Sequence, residues 1–176
     1  MIEFNFPDAP QWHDFDKCGI EERLTTSDLK QGEMELKVKV KRLRDDAVIP
    51  FYAHPSDAGM DLTAVTMSLD DGGIITYGFG LAFEIPEGHV GLIFPRSSVY
   101  RKSLDLTNCV GVIDSGYRGE VSAKFRMMPG SRSKMYGIGE RVAQMIILPY
   151  PKVHLVETEA LTDSDRGTGG YGSSGD

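Results

Sequence analysis

From residue 33 to residue 44 the chain reads EMELKVKVKRLR, and apolar and charged positions alternate: Met34, Leu36, Val38 and Val40 on one side, Glu35, Lys37, Lys39 and Lys41 on the other. A period of two suits a strand with one buried face, because successive side chains point to opposite sides of a pleated sheet. Short β-rich runs follow at 65–69, 74–77, 79–85, 89–94, 110–113, 121–127, 141–148 and 153–157. Turn-forming clusters separate them: DDGG at 70–73, PEG at 86–88, DSGYRG at 114–119 and MPGS at 128–131. Many short strands with regular Gly, Pro and Asp punctuation specify an all-β sandwich or barrel. Helix is expected only as a short stretch after Arg96 and a turn or two within residues 9–24.

With 176 residues, 40% of them hydrophobic, the chain has material for one core. The expected layout is an N-terminal extension over 1–32, a β domain over 33–160 and a flexible C-terminal arm over 161–176. A net charge of −7 argues against a broad basic face for nucleic acid, so any anionic ligand must meet a local basic site. Cys18 and Cys109 are far apart and form no Cys-x-x-Cys pair, which suggests a reduced, cytoplasmic protein. The opening MIEFNF has no basic leader, and the longest apolar runs are far too short to span a bilayer, so neither secretion nor membrane insertion is expected. His13, His54, His89 and His154 are scattered, without the spacing of a zinc site.

Four segments carry polar residues that a plain sandwich does not need. AGMDL, residues 58–62, places Asp61 just before a strand, where an ordinary turn carboxylate is the simpler explanation. PRSSVYRKSL, residues 95–104, puts Arg96, Ser97 and Ser98 after an apolar strand; hydroxyls and amides there suit an oxyanion, and helix N-capping explains the serines equally well. NCVGVIDSGYRGE, residues 108–120, ends a strand on Asp114 and returns through a tight hairpin carrying Tyr117, although Asp is also a common opener of turns. GERVAQMIILP, residues 139–149, embeds Gln144 in an apolar strand, where its amide must find partners.

The last eleven residues, RGTGGYGSSGD, contain a G-x-G-x-x-G match at Gly167, Gly169 and Gly172. No strand precedes it and no helix can follow it, so the dinucleotide fingerprint does not apply. Gly and Ser at a terminus make a flexible tail. Arg166 and Tyr171 nevertheless offer a planar cation for phosphate and an aromatic face for a base.

In their order along the chain, AGMDL, PRSS, GVIDSGYRG, GERVAQMI and RGTGGYGSSG resemble the five motifs of the trimeric dUTPase family. With the strands between them they cover about residues 37–175. The resemblance implies a jelly-roll-like β fold, a homotrimer with shared active sites and hydrolysis of dUTP to dUMP and pyrophosphate. That reaction keeps uracil out of DNA and supplies dUMP for thymidylate synthesis. Mg²⁺ would be carried by the substrate triphosphate, and Asp61 would steady its water shell. Asp114 would hold the 3′-hydroxyl and orient the attacking water. Tyr117 would exclude a ribose hydroxyl, and Asn108 with the strand Gly111, Val112 and Ile113 would read uracil. Arg96, Ser97, Ser98 and Gln144 would bind phosphates. The arm would close over a neighbour's nucleotide, Tyr171 stacking on the base while Arg166, Gly172 and Ser173 hold the distal phosphates.

Two positions depart from the family pattern. Tyr171 stands where Phe is usual, and Ser98 where Gly is common. Arg-Ser-Ser is frequent in the related dCTP deaminases, which makes them the main alternative. Those enzymes carry a glutamate five residues past the third-motif glycine, and this chain has Lys124 there. A regulatory protein that uses the nucleotide site as a switch and residues 1–32 as a partner-binding segment is a further alternative.

Overall fold

The computed structural model describes residues 36–128 and 135–170, and residues 37–176 form one compact unit. Ten strands run in order: β1 (Lys39–Arg42), β2 (Met60–Thr63), β3 (Thr66–Leu69), β4 (Ile74–Gly78), β5 (Leu81–Glu84), β6 (His89–Pro95), β7 (Leu104–Leu106), β8 (Gly111–Ile113), β9 (Ser122–Met127) and β10 (Arg141–Pro149). Every ladder among them is antiparallel. Two four-stranded sheets, ordered β2-β10-β6-β8 and β3-β4-β9-β7, share one apolar core, and β1 pairs with β5 as a separate ribbon. This is the all-β architecture expected from the strand pattern, in the jelly-roll-like form that the family resemblance implies.

Alternation explains which residues meet in that core. Ile75 and Tyr77 of β4, Ala123 and Phe125 of β9, Ile93 of β6 and Met145 of β10 are buried, while their neighbours along each strand are more exposed. Tyr77, Phe125 and Tyr136 pack edge to face, with ring centroids 5.8 to 6.1 Å apart. The Tyr77 hydroxyl donates to the Tyr136 carbonyl at 3.2 Å and accepts the Tyr136 amide at 3.0 Å, so one side chain satisfies both backbone groups of a buried residue. Tyr77→Phe keeps the ring and strands those two groups. It is expected to destabilise the fold by about 1–3 kcal/mol, read as a lower urea midpoint at unchanged slope.

Several elements differ from the sequence expectation. The first strand is shorter than the alternation suggests: β1 begins at Lys39, Leu36 is exposed, and among the described residues of the apolar face Val38 and Val40 pack on the core. Residues 153–157 form no strand and stay exposed, Leu155 at 88%, because no described edge pairs with them. Asp61 lies within β2 and not ahead of a strand. The short helix after Arg96 is a 3-10 helix over Ser97–Arg101 whose N-cap is Arg96, with no side-chain capping bond, so capping does not account for the serines. The extension over 1–32 and the helical turns within 9–24 lie outside the described residues.

Candidate active site

Three strands, β2, β6 and β10, build one polar cleft. Asp61 on β2 lies opposite Gln144 on β10, which in turn lies opposite Phe94 on β6, so the first and fourth sequence segments sit side by side with the second just beyond Pro95. The cleft, of about 430 Å³, is lined by Asp61, Arg96, Ser97, Arg141 and Gln144, with His54, Asp57 and Gly59 at its wall. Ser98, next in the helix, does not line it.

Asp61 organises the cations of this cleft. Its side chain is 12% exposed, and its two oxygens accept Arg96 Nε at 2.7 Å and Arg141 Nη1 at 2.8 Å. One carboxylate between two guanidiniums leaves an excess positive charge at that end of the cleft, with Asp57 on the wall bringing a second carboxylate, and it fixes both forks in direction. Gln144 Nε2 donates to the Pro95 carbonyl at 3.1 Å, which leaves its amide oxygen facing Gly59. A Cβ at position 59 would stand 2.8 Å from that oxygen, so only glycine admits Gln144 in this pose. The embedded Gln144 thus has the backbone partner its burial requires.

Arg141 escaped the sequence reading for a geometric reason. In a regular strand, residues three apart face opposite ways, which would turn Arg141 away from Gln144. The β10–β2 ladder contains a bulge between Arg141 and Ala143, which brings Arg141 opposite Thr63, on the same side as Asp61 and Gln144. Bulges commonly re-aim a side chain beside a functional site. The sequence signal is the consecutive buried pair Val142 and Ala143, which breaks the alternation. Beside Arg141, Glu140 accepts the Gly137 amide and Lys102 Nζ, and these bonds hold its carboxyl below the usual range.

The third segment lies elsewhere. Asn108 and Gly111 line a separate pocket of about 330 Å³ together with Thr107, Ser122 and Lys124. β8 is an edge strand, so one side of Gly111–Ile113 has no neighbouring strand in its sheet, and Val112 is exposed. Asp114 opens the following turn, its carbonyl accepting the Tyr117 amide at 3.0 Å, and the Tyr117 hydroxyl donates to the Glu120 carbonyl at 3.0 Å. Ile113 pairs with Gly91, near the start of β6, whereas Arg96 follows the end of β6. At about 3.3 Å per residue the Asp114 level and Arg96 are separated by about 20 Å along the sheet. A single chain therefore does not bring Asp114 to its own cationic cleft. Arg166 is exposed and its Nε donates to the Gly169 carbonyl at 3.0 Å within its own turn, while Tyr171, Gly172 and Ser173 lie outside the described residues.

An antiparallel sandwich with an Asp-braced pair of arginines at one end of a sheet and an edge strand leading to a carboxylate turn at the other defines a β-fold protein for phosphorylated ligands, its chemistry divided between two poles. The dUTPase family model matches residues 45–175. Deoxyuridine 5′-triphosphate nucleotidohydrolases of Rhodococcus erythropolis and Leifsonia xyli are 39% identical over 142 residues and 40% identical over 131 residues. The first alignment covers 80% of this chain and 87% of the relative, the second 72% and 85%. A dUTPase of Staphylococcus bacteriophage 80alpha, solved with dUPNHPP, matches with a TM-score of 0.68 at 28% identity, over 79% of this chain and 98% of its own. A mutant dUTPase of phage phi11 of S. aureus, described with a coordinated structural Mg(II) ion, matches with a TM-score of 0.59 at 25% identity, over 70% of this chain and 97% of its own. The chain belongs to the dUTPase family.

Among the described residues no three His, Cys, Asp or Glu side chains converge on a point that could hold a metal ion. No helix among them is long and apolar enough to cross a membrane.

Proposed function

We propose that this chain hydrolyses dUTP to dUMP and pyrophosphate, with Mg²⁺ entering as part of the substrate, chelated by the triphosphate. The observation that carries the reading against its nearest alternative is the pocket of Asn108 and Gly111. The position where a dCTP deaminase needs an acid lines that pocket, and it is Lys124. A lysine there cannot pass protons to the base as a carboxylic acid does. Asn108 and the edge of Gly111, Val112 and Ile113 read the polar face of uracil, an arrangement supported by the free outer edge of β8 among the described residues.

The phosphate chain lies in the cleft of Arg96, Ser97, Arg141 and Gln144, with Ser98 assisting from the same helix. Asp61 acts first on the two guanidiniums, and would steady the water shell of the Mg²⁺ that the substrate carries. Asp114 holds the 3′-hydroxyl and takes a proton from the water whose oxygen attacks the α-phosphorus, as the bond to the bridging oxygen breaks and pyrophosphate leaves. Tyr117 closes the space at C2′. A water-orienting group works within about 3–3.5 Å of its reactant, so a cleft on the order of 20 Å away must come from another copy. This supports a homotrimer with shared sites, completed by Arg166, Tyr171, Gly172 and Ser173 of an arm. The exposed free thiol of Cys109 supports a reducing, cytoplasmic setting.

The test is pyrophosphate release from Mg·dUTP measured beside ammonia release from dCTP. Turnover of dUTP with poor use of dCTP, dTTP and UTP is expected. Ammonia release from dCTP at a comparable rate would overturn the assignment.

A further inference from the structure

We propose that Arg118 is the positioning residue that presets the Asp114–Tyr117 turn for catalysis and for rejection of ribonucleotides; this rests on the dUTPase reading above. An exposed arginine ordinarily extends into solvent or pairs with a carboxylate, and Arg118 makes no ion pair among the described residues. Its Nη1 instead donates to the Ser115 carbonyl at 2.6 Å and to the Tyr117 carbonyl at 2.9 Å. One charged group thereby ties the tip of the turn to its returning limb. The turn's own backbone bond is the single one from the Tyr117 amide to the Asp114 carbonyl, at 3.0 Å. Charge-assisted bonds are the stronger kind, so Arg118 supplies the larger share of the restraint.

The ring of Tyr117 is held from the same side. A Cβ on Gly119 would stand 2.6 Å from Tyr117 Cζ, so the ring occupies the space that glycine leaves open. Its hydroxyl donates to the Glu120 carbonyl at 3.0 Å, and the Glu120 carboxylate accepts the Gly80 amide at 2.8 Å, which fixes that limb to the core. Arg118 is the only bridge among the described residues from this anchored limb to the tip between Asp114 and Tyr117 other than the turn's own backbone bond. Without it the carboxylate and the ring no longer share one reference, and both the rate and the exclusion of a 2′-hydroxyl suffer.

The variant is Arg118→Met, which keeps the aliphatic stem and removes every donor. The kcat/KM for dUTP is expected to fall about tenfold, mainly in kcat, and the rate with UTP relative to dUTP to rise several-fold. Inhibition by inorganic tripolyphosphate, which engages the Arg96 and Arg141 cleft and the arm but not the Asp114–Tyr117 turn, is expected to match the parent. Should Arg118→Met not assemble, Arg118→Lys carries the same measurements, because an ammonium lacks the planar fork while keeping the charge. Kinetics and UTP discrimination within about twofold of the parent overturn the proposal, as does a parallel loss of tripolyphosphate inhibition, which marks general damage. A parent chain inactive on dUTP is a separate result, and it counts against the family reaction and not against Arg118 alone.

Discussion

Asp114→Asn lowers dUTP turnover by on the order of 10²- to 10⁴-fold, the usual worth of a positioned acid–base group, while nucleotide affinity stays within a few-fold of the parent. The substitution preserves size, and the turn does not depend on the side chain: it is the Asp114 carbonyl that accepts the Tyr117 amide. What disappears, on the proposed reading, is the negative charge that orients water and accepts its proton. On the same reading affinity resides elsewhere, in the Asp61-braced guanidiniums of Arg96 and Arg141 and in the pocket of Asn108 and Gly111. Steady-state pyrophosphate release gives the first quantity, and calorimetric titration with a non-hydrolysable imido analogue of dUTP gives the second. Turnover near the parent's level would remove Asp114 from the chemistry. Loss of affinity in step with turnover would mean that Asp114 binds nucleotide and does not activate water.

The fold was legible wherever a β-rich run is long enough and bounded by turn residues. Residues 89–94 and 141–148 are such runs and form β6 and β10, although the buried pair Val142 and Ala143 breaks the alternation of the second. Short strands are a different matter. Met60–Thr63 and Leu104–Leu106 are too brief for a periodic signal, and each exists because a longer neighbour, β10 or β9, offers a ladder. Residues 153–157 show the converse, since β-branched composition creates a candidate strand and only a free edge makes it one.

The site divides along similar lines. Residue types and turn positions point to Asp61, Arg96, Gln144 and Asp114, as each is a polar group where packing needs none. Arg141 was hidden because its orientation depends on a one-residue bulge, which period-two reasoning turns the wrong way. The separation of Asp114 from the cleft was hidden more deeply. It follows from the pairing of Ile113 with Gly91 at one end of β6 and the place of Arg96 at the other. Neither fact is written in local sequence; the family resemblance implies shared sites, and the register supplies a physical reason for one.

That register makes the largest gain of function predictable from two dead proteins. Asp114→Asn disables the carboxylate turn and leaves the cleft intact; Arg96→Met takes away one of the two guanidiniums that Asp61 braces, while leaving the turn intact. Each alone is expected to be nearly inactive. When the two are co-expressed with different affinity tags and the doubly tagged oligomers are purified, some sites join an intact turn from one copy to an intact cleft from another. With random equal mixing in a closed ring, about a quarter of all sites are complete if turn and cleft come from different copies, and none if both come from one. The doubly tagged fraction excludes the unmixed oligomers, and each mixed trimer has one complete site of its three, so it should recover about a third of parental dUTP turnover, well above the background of either variant. The expectation follows from a distance on the order of 20 Å along β6, which no side-chain rearrangement within one copy spans. Recovery no greater than the summed backgrounds would show that a single chain completes its own site, and that the sheet register misleads about where the substrate lies.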